Sequence, residues 1–225
     1  MISAYEGEEI IEKIVIRGGE KHFERKYIPR TVFHDPKDKP AFILGNAPSR
    51  SKIDISKLRE HGFTYGCNAL YRDFAPDFLV TVDVAIAGEI VESGYAKDNV
   101  VYGGYKSILT HGEDITLIPK HPAFSTGNTA THIASFDGHK LVYLIGFNPD
   151  PKQKTVDNVY NGTNCYKPAG TDIMHELWVK QLQKIFEAYP DVTYYLVDME
   201  HIPLFSYFKN AQNITVENFR KSFDI

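Results

Sequence analysis

One stretch decides the fold of this chain: Lys39-Pro40-Ala41-Phe42-Ile43-Leu44-Gly45-Asn46-Ala47-Pro48-Ser49-Arg50-Ser51. Residues 41–44 are an apolar run that ends in a small polar turn, and a helical pattern begins at about Ile53. A buried strand that leads through a tight loop into a helix is the opening unit of a nucleotide-binding α/β domain.

The loop after this strand has the residues of a ligand-binding turn. Gly45 allows a sharp turn and a close approach of the backbone to a ligand. Asn46 and Ser49 offer polar groups at the carboxyl end of the strand, where ligands of open α/β sheets bind. The loop matches neither the G-x-G-x-x-G fingerprint nor a Walker loop. Its meaning therefore depends on the rest of the chain.

Composition excludes several classes of protein. The 225 residues suit one α/β domain, and 43% hydrophobic with 24% charged residues is ordinary for a soluble globular protein. A net charge of −4 gives no overall basic field for nucleic acid. Cys67 and Cys165 form no C-x-x-C motif, so we expect two reduced thiols. We find no leader-like segment or membrane-length apolar run, and we expect a cytoplasmic protein.

Residues 1–39 are predicted to be an N-terminal extension of a main domain that covers residues 40–225. Residues 10–16 and 22–28 have strand character and flank a Gly18-Gly19 turn signal. This pattern predicts an antiparallel β-hairpin packed on the main domain, and a flexible arm is the alternative.

The main domain reads as α/β, with a mostly parallel sheet and helices on both faces. Strands are predicted at residues 41–44, 63–67, 77–82, 99–102, 114–118, 141–146 and 192–197, and helices from 53, at 84–93, at 126–135 and from a Thr171-Asp172 cap. Residues 141–146 are apolar on both faces and belong at the centre of a parallel sheet. Residues 148–170 form a long loop, a length that is often functional.

Polar residues stand where strands end or a helix begins. Asn68 and Asp83 follow the second and third strands, and Thr126, Gly127 and Asn128 open a helix. In a parallel sheet these residues gather with the Gly45 loop along one edge, where they can hold a nucleotide. The helix start adds N–H donors and a positive dipole end. For each residue, a plain turn or cap role is the alternative.

Three further residues are candidates for catalysis. Tyr160 and Tyr166 flank an Asn-Gly turn in the long loop, and a phenol can stabilise negative charge that develops on a leaving phosphate. His175 lies at the start of the following helix, and imidazole titrates in the range of a general base. Ordinary loop tyrosines and a surface or core histidine are the alternatives.

Metal chemistry has no sequence signal. The chain contains no Asp-x-Asp and no cluster with zinc-ligand spacing, so we expect neither a metal ion nor another cofactor. Arginine is absent between Arg72 and Arg220. A phosphate held by this part of the chain must then be met by Lys, Tyr, Asn, Thr or backbone N–H groups.

Six short motifs occur in order between about residues 40 and 200. They are GNAPS (45–49), CNALY (67–71), STG (125–127), VYLIGF (142–147), the tyrosines 160 and 166 about an Asn-Gly, and HEL (175–177). Together they resemble motifs of the bacterial sialyltransferases that decorate lipooligosaccharide, glycosyltransferase family forty-two. The resemblance implies one Rossmann-like domain that binds a nucleotide-activated sugar without a metal ion.

The resemblance also implies roles for the nucleotide-binding candidates. Asn46, Ser49 and Asn68 would hold the nucleotide, and Thr126 and Gly127 would hold ribose or phosphate. The tyrosine pair would stabilise the departing phosphate, and the histidine would deprotonate the acceptor hydroxyl.

Donor sugar, acceptor and assembly stay open. The family has an arginine near the Thr-Ser-Gly motif that meets the carboxylate of sialic acid, and here only Lys120 and His121 are near, so a neutral sugar on another nucleotide is an alternative. The acceptor is a glycan, a protein, a small molecule or a modified nucleobase, the last because Lys152, Lys154 and Lys167 make the long loop locally basic. The many aromatic residues also allow a homo-oligomer.

Two rival functions share the same loop. It resembles the loop of archaeal hydroxymethylpterin diphosphokinase-like proteins and of the related motility accessory factors. The first would transfer a diphosphate from ATP and would need Mg²⁺, with Asp83 and Asp150 as candidate ligands. The second would transfer a nonulosonic sugar to protein. The other rival is a nucleotide-binding protein without catalysis.

Overall fold

The computed structural model describes residues 8–29, 36, 39–111, 114–118, 122–148, 157–168, 175–199 and 202–225. The strands are β1 (Glu8–Arg17), β2 (Glu20–Pro29), β3 (Ala41–Leu44), β4 (Phe63–Cys67), β5 (Phe78–Thr81), β6 (Val101–Gly103), β7 (Thr116–Leu117), β8 (Leu141–Ile145), β9 (Thr193–Val197) and β10 (Ala211–Ile214). The helices are α1 (Val84–Glu92), α2 (Tyr95–Asp98), α3 (Tyr105–His111), α4 (Thr126–Asp137), α5 (His175–Ala188) and α6 (Val216–Phe223). Short 3-10 turns cover Pro48–Lys52, Ile55–Glu60, Asn68–Arg72 and Pro203–Tyr207.

Strands β3 to β10 form one sheet in the order β10-β9-β8-β3-β4-β5-β6-β7, and all neighbours pair in parallel. The chain steps outward from β3 to β7 and then crosses to β8 on the other side of β3. The strand order therefore reverses between β3 and β8. In open α/β sheets, ligands bind at the carboxyl end of such a switch point.

Strand β3 shows why the sheet is covered on both faces. Its alternate side chains point to opposite sides: Ile43 packs in the same cluster as Ile133 of α4, whereas Phe42 packs with Ile86 of α1 and Phe219 of α6. A strand buried on both faces must be apolar at every position. The predicted α/β class, with a parallel sheet between helices, is confirmed.

The predicted N-terminal hairpin is present. Strands β1 and β2 pair antiparallel around Gly18 and Gly19, which have positive φ values of 59° and 85°. β1 lies next to β7 and α3. Both strands are longer than predicted, and the rest of residues 1–39, apart from Pro36 and Lys39, lies outside the described residues. The division into an extension and a main domain stays a prediction.

The short helix predicted after the Gly45 loop is present as a 3-10 turn at Ile55–Glu60, and a second 3-10 turn precedes it at Pro48–Lys52. Short polar side chains of this segment bond to the local backbone, as Ser51 Oγ does to Pro48 O at 2.7 Å and the Ser56 N–H to Asp54 Oδ1 at 3.1 Å. Such bonds compete with a regular helix.

The outer parts of the sheet differ most from prediction. Helices α2 and α3 were not predicted, and neither was β10, which pairs on the outer side of β9. On α5, Leu182, Ile185 and Phe186 are buried, whereas Leu177 is 41% exposed. The predicted cap of this helix lies outside the described residues, and residues 157–168 form neither strand nor helix. None of the helices described is long and apolar enough to cross a membrane.

Candidate functional site

A cavity of about 330 Å³ opens at the carboxyl edge of the sheet, at the switch point between β3 and β8. Its lining includes all but one of the predicted nucleotide-binding residues, namely Gly45, Asn46, Asn68, Asp83, Thr126, Gly127 and Asn128. The exception is Ser49, whose hydroxyl oxygen is buried in the neighbouring 3-10 turn. The sheet thus brings together strand ends that are far apart in sequence.

Glycines allow the elements around the cavity to meet. A Cβ on Gly45 would lie 2.4 Å from the carbonyl oxygen of Gly146, and one on Gly127 would lie 2.9 Å from Cε1 of Phe147. Gly146 itself has a φ of 71°. The ends of β3 and β8 and the start of α4 can therefore approach this closely only without side chains at these positions.

The amino end of α4 faces the cavity, which residues 125–128 line. The Ser125 side chain forms no cap hydrogen bond, and the Thr126 hydroxyl donates to Oδ1 of Asn68 at 3.2 Å. A helix start presents N–H donors and the positive end of the helix dipole. This wall therefore suits an anionic group.

Asn46 connects three parts of the site. Its Nδ2 donates to the carbonyl of Cys67 at 3.1 Å and lies 3.5 Å from the Tyr166 hydroxyl. Its backbone carbonyl accepts a hydrogen bond from the N–H of Val159 at 2.9 Å. Asn46 thus links the Gly45 loop to β4 and to the loop of residues 157–168.

Arg50, which sequence analysis did not select, lies beneath the Gly45 loop. It is 7% exposed and donates to Gly45 O at 3.2 Å, to Asn46 Oδ1 at 2.6 Å and to the Tyr160 hydroxyl at 3.2 Å. Its guanidinium also lies 5.5 Å from the centre of the Tyr160 ring. The only sequence signal was a single arginine directly after GNAPS.

The two tyrosines come together, but their hydroxyls have different partners. The rings of Tyr160 and Tyr166 are 5.6 Å apart. Tyr160 donates to Asp73 Oδ2 at 2.6 Å, and burial together with this carboxylate raises its pKa to about 12. The Tyr166 hydroxyl accepts from the N–H of Ala69 at 3.4 Å, and burial raises its pKa as well. Only Tyr166 contacts a residue of the cavity wall through its hydroxyl, and neither tyrosine lines the cavity itself.

His175 is the first residue of α5 and is 2% exposed. Its ring lies 5.2 Å from the ring of Trp178, edge to face, and Trp178 lines the cavity whereas His175 does not. The catalytic roles of His175 and of the two tyrosines stay predictions.

Two of the lining residues also have plain structural roles. Asp83 Oδ1 accepts from the N–H of Ala85 at 2.8 Å and so caps α1. Asn128 donates to Trp178 O at 3.1 Å and to Gln181 Oε1 at 3.0 Å, which ties α4 to α5. Asp83 thus has the cap role that was its alternative, and Asn128 has a bracing role, and both residues also line the cavity.

A second arginine fastens the loop of residues 157–168. Arg72 donates to Glu89 Oε1 at 2.7 Å, to Thr163 Oγ1 at 2.8 Å and to Asn164 O at 3.0 Å. Asn164 in turn donates to Glu89 Oε2 at 2.5 Å. The loop is thereby joined to α1.

Metal ligands do not cluster in the described part of the chain, where no three His, Cys, Asp or Glu side chains come together. Several predicted participants lie outside the described residues, namely Lys120, His121, Asp150, Lys152 and Lys154. Asp83 is thus the one candidate magnesium ligand that the structure describes.

Several solved structures resemble this fold. They are sialyltransferases. The α-2,3-sialyltransferase Cst-I of Campylobacter jejuni is 14% identical over 76% of this chain and 79% of its own, with a TM-score of 0.49. CstII of the same organism, in complex with CMP-3FNeuAc, is 14% identical over 70% of this chain and 80% of its own, with a TM-score of 0.46. CstII with a trisaccharide acceptor and CMP is 17% identical over 70% of this chain and 80% of its own, with a TM-score of 0.47.

These proteins are of the class that the six motifs resemble. No model of a known protein family matches the chain, and no curated protein matches it significantly.

Proposed function

We propose that this chain is a glycosyltransferase that moves a sugar from a nucleotide-activated donor to an acceptor hydroxyl without a metal ion. One observation carries the proposal: the cavity at the switch point is lined by the strand-end residues Asn46 and Asn68 and by the first turn of α4. A volume of about 330 Å³ lies at the lower end of the usual range for small-molecule sites.

The walls of the cavity suggest how a nucleotide would bind. Its phosphate would meet the N–H groups and hydroxyl at Thr126 and Gly127, where the helix dipole favours negative charge. The carboxamides of Asn46 and Asn68 would serve the ribose or base. Phe147 and Trp178 add apolar wall on the side of β8 and α5.

In the reaction, the bond between the anomeric carbon and the phosphate oxygen breaks, and its electron pair leaves with the phosphate. The acceptor oxygen forms the new bond to carbon, and His175 takes the proton of its hydroxyl. Tyr166 would donate a hydrogen bond to the departing phosphate, which gains charge in the transition state. Its hydroxyl is the better placed of the pair, because it already lies beside Asn46.

A nucleotide screen tests the proposal. Thermal unfolding is measured with CMP, UDP, GDP and ATP, each with and without Mg²⁺, and ligand binding raises the unfolding temperature. CMP is the first choice because the similar CstII structures contain it. We expect stabilisation by at least one nucleoside mono- or diphosphate without Mg²⁺. Stabilisation by ATP only with Mg²⁺ would support the diphosphokinase-like rival, and no stabilisation would favour a protein without this activity.

Substitutions make the screen specific for this cavity. Gly127→Ala places a methyl group against Phe147 and should remove the stabilisation, while alanine itself is well tolerated in a helix. Tyr166→Phe should slow donor hydrolysis, and His175→Asn should slow transfer more than hydrolysis. Rates equal to those of the unsubstituted protein would contradict these two roles.

A further inference from the structure

Among the lysines and arginines that the structure describes, Arg50 is the one that is buried. A buried cation is costly unless its N–H groups are paired. Arg50 has partners on two sides: Gly45 O and Asn46 Oδ1 on the side of the cavity, and Tyr160 with Asp73 on the other. Its position between the Gly45 loop and Tyr160 is therefore specific rather than incidental.

Arg50 holds one end of the Asn46 carboxamide. A guanidinium only donates, so the atom of Asn46 that lies 2.6 Å from it is the carboxamide oxygen. The amide nitrogen is then directed to the carbonyl of Cys67, 3.1 Å away, on the cavity wall. The Cys67 carbonyl only accepts, so Arg50 and Cys67 together fix which end of the carboxamide points to each of them.

Arg50 also supplies charge that the cavity wall lacks. Among the described residues that line the cavity there is no lysine or arginine, whereas Asp83 and Asp157 are present. The charge of Arg50 therefore adds to the positive end of the α4 dipole in favouring a phosphate group in this cavity. Arg50 contacts two lining residues, Gly45 and Asn46, directly.

Tyr160 holds this arginine in place. A phenol has one proton to donate, and Tyr160 gives it to Asp73 Oδ2 at 2.6 Å while its oxygen accepts from Arg50. The hydroxyl therefore has no proton left for a phosphate in this arrangement. Its ring also faces the Arg50 guanidinium, a favourable cation–π geometry.

We propose that Arg50 is a positioning residue of the candidate nucleotide site: it orients the Asn46 carboxamide and places a buried positive charge under the Gly45 loop, and Tyr160 acts through Arg50 rather than on the phosphate. This inference rests on the proposed function for its ligand, a nucleotide phosphate. The effect of Arg50 on the order of the Gly45 loop is independent of the proposed function, because it can be measured without ligand.

The experiment compares Arg50→Lys, Tyr160→Phe and the double variant. Arg59→Lys is the matched control, because Arg59 also bonds a carboxylate, Asp77, at 3.0 Å and lies over an aromatic ring, but it is half exposed and does not contact the Gly45 loop. The first readout is amide hydrogen exchange in the ligand-free protein at Ala47 and Val159, whose N–H groups bond Gly146 O and Asn46 O. The second is the Kd for CMP, or for the best nucleotide in the screen.

In Arg50→Lys we expect exchange at both amides to accelerate and the nucleotide Kd to rise, each about tenfold, because a buried charge-assisted hydrogen bond is lost. The exchange of distant strands should change little, and Arg59→Lys should behave like the unsubstituted protein. Tyr160→Phe should have a smaller effect that disappears in the Arg50→Lys background.

Different failures have different meanings. Unchanged exchange and Kd in Arg50→Lys would overturn the proposed role of Arg50. Additive effects on Kd in the double variant would overturn the role of Tyr160, because they indicate its own contact with the ligand. If no nucleotide binds the unsubstituted protein but Arg50→Lys still accelerates exchange, the proposed function is wrong and the positioning of the loop by Arg50 stands.

Discussion

The two edges of the parallel sheet use polar side chains in opposite ways. At the amino edge, Tyr65, Asp137 and His139 are at most 4% exposed. The Tyr65 hydroxyl donates to Asp137 Oδ2 at 2.6 Å and lies 3.1 Å from His139 Nε2, and His139 Nδ1 lies 2.8 Å from Lys39 O. At the carboxyl edge, side chains such as Asn46 and Thr126 also have hydrogen-bond partners, but they line a cavity that has room for a ligand.

This difference separates stability from binding. A polar group buried with a partner stabilises one arrangement, and its loss leaves the partner without a hydrogen bond in a site that water does not reach. A polar group on a cavity wall can still form a hydrogen bond to a ligand. We therefore expect changes at the amino edge to alter the free energy of unfolding and changes at the carboxyl edge to alter binding.

The largest effect is expected at the amino edge. Asp137→Ala removes the acceptor of the buried Tyr65 hydroxyl and should lower the free energy of unfolding by about 3 kcal/mol. Urea denaturation measures this change, and Asp191→Ala, at an exposed position, is the control. The nucleotide affinity of the folded fraction should not change. A loss of affinity without a loss of stability would break the distinction between the two edges.

An intermediate effect is expected where the loop of residues 157–168 meets α1. Burial opposes the charge of Glu89, but hydrogen bonds from Tyr71, Arg72 and Asn164 outweigh it and hold its pKa below the ordinary value. A lowered carboxyl pKa stabilises the folded protein above the ordinary pKa, and the contribution is lost as the pH falls through the lowered value.

Glu89→Gln should therefore lower the free energy of unfolding by about 1 kcal/mol at neutral pH, and by less in acid. Chemical denaturation at several pH values measures the difference. Glu92→Gln, exposed on the same helix, is the control. A difference that grows on acidification would mean that the carboxylate of Glu89 does not stabilise this contact.

The smallest effect is expected in the rates at which the two cysteine thiols react. Cys67 is buried at the end of β4, and burial raises its pKa to about 12. Cys165 is exposed, but partial burial and the carboxylates of Glu89 and Asp83 raise its pKa too. A raised pKa leaves less thiolate, which is the reactive form.

We expect that alkylation of the folded protein modifies only Cys165. At neutral pH Cys165 should react more slowly than free cysteine, and the difference between the two rates should become smaller as the pH rises. Mass spectrometry measures both rates, with Cys165→Ser as the control. Modification of Cys67 in the folded protein would show that the carboxyl edge opens more than the structure indicates.

Strand ends were readable from sequence because their signal is local. An apolar run followed by a small polar residue marks the end of a buried strand, and this pattern identified Asn46, Asn68 and Asp83. The two arginine contacts had no such signal. Tyr160, the partner that holds Arg50 in place, is 110 residues away in the sequence. The partners of Arg72 are also distant: Glu89 is 17 residues away and Thr163 is 91 residues away.

The amino-acid pattern was sufficient for the parallel sheet, for β8 as one of its interior strands and for the gathering of polar residues at one edge, because periodicity and turn chemistry act over a few residues. It was not sufficient to say which of those polar groups the fold uses for itself. Asp83 caps α1, Asn128 ties α4 to α5, and the Tyr160 hydroxyl bonds Asp73 and Arg50. These roles depend on partners that only the packed sheet brings within hydrogen-bond distance.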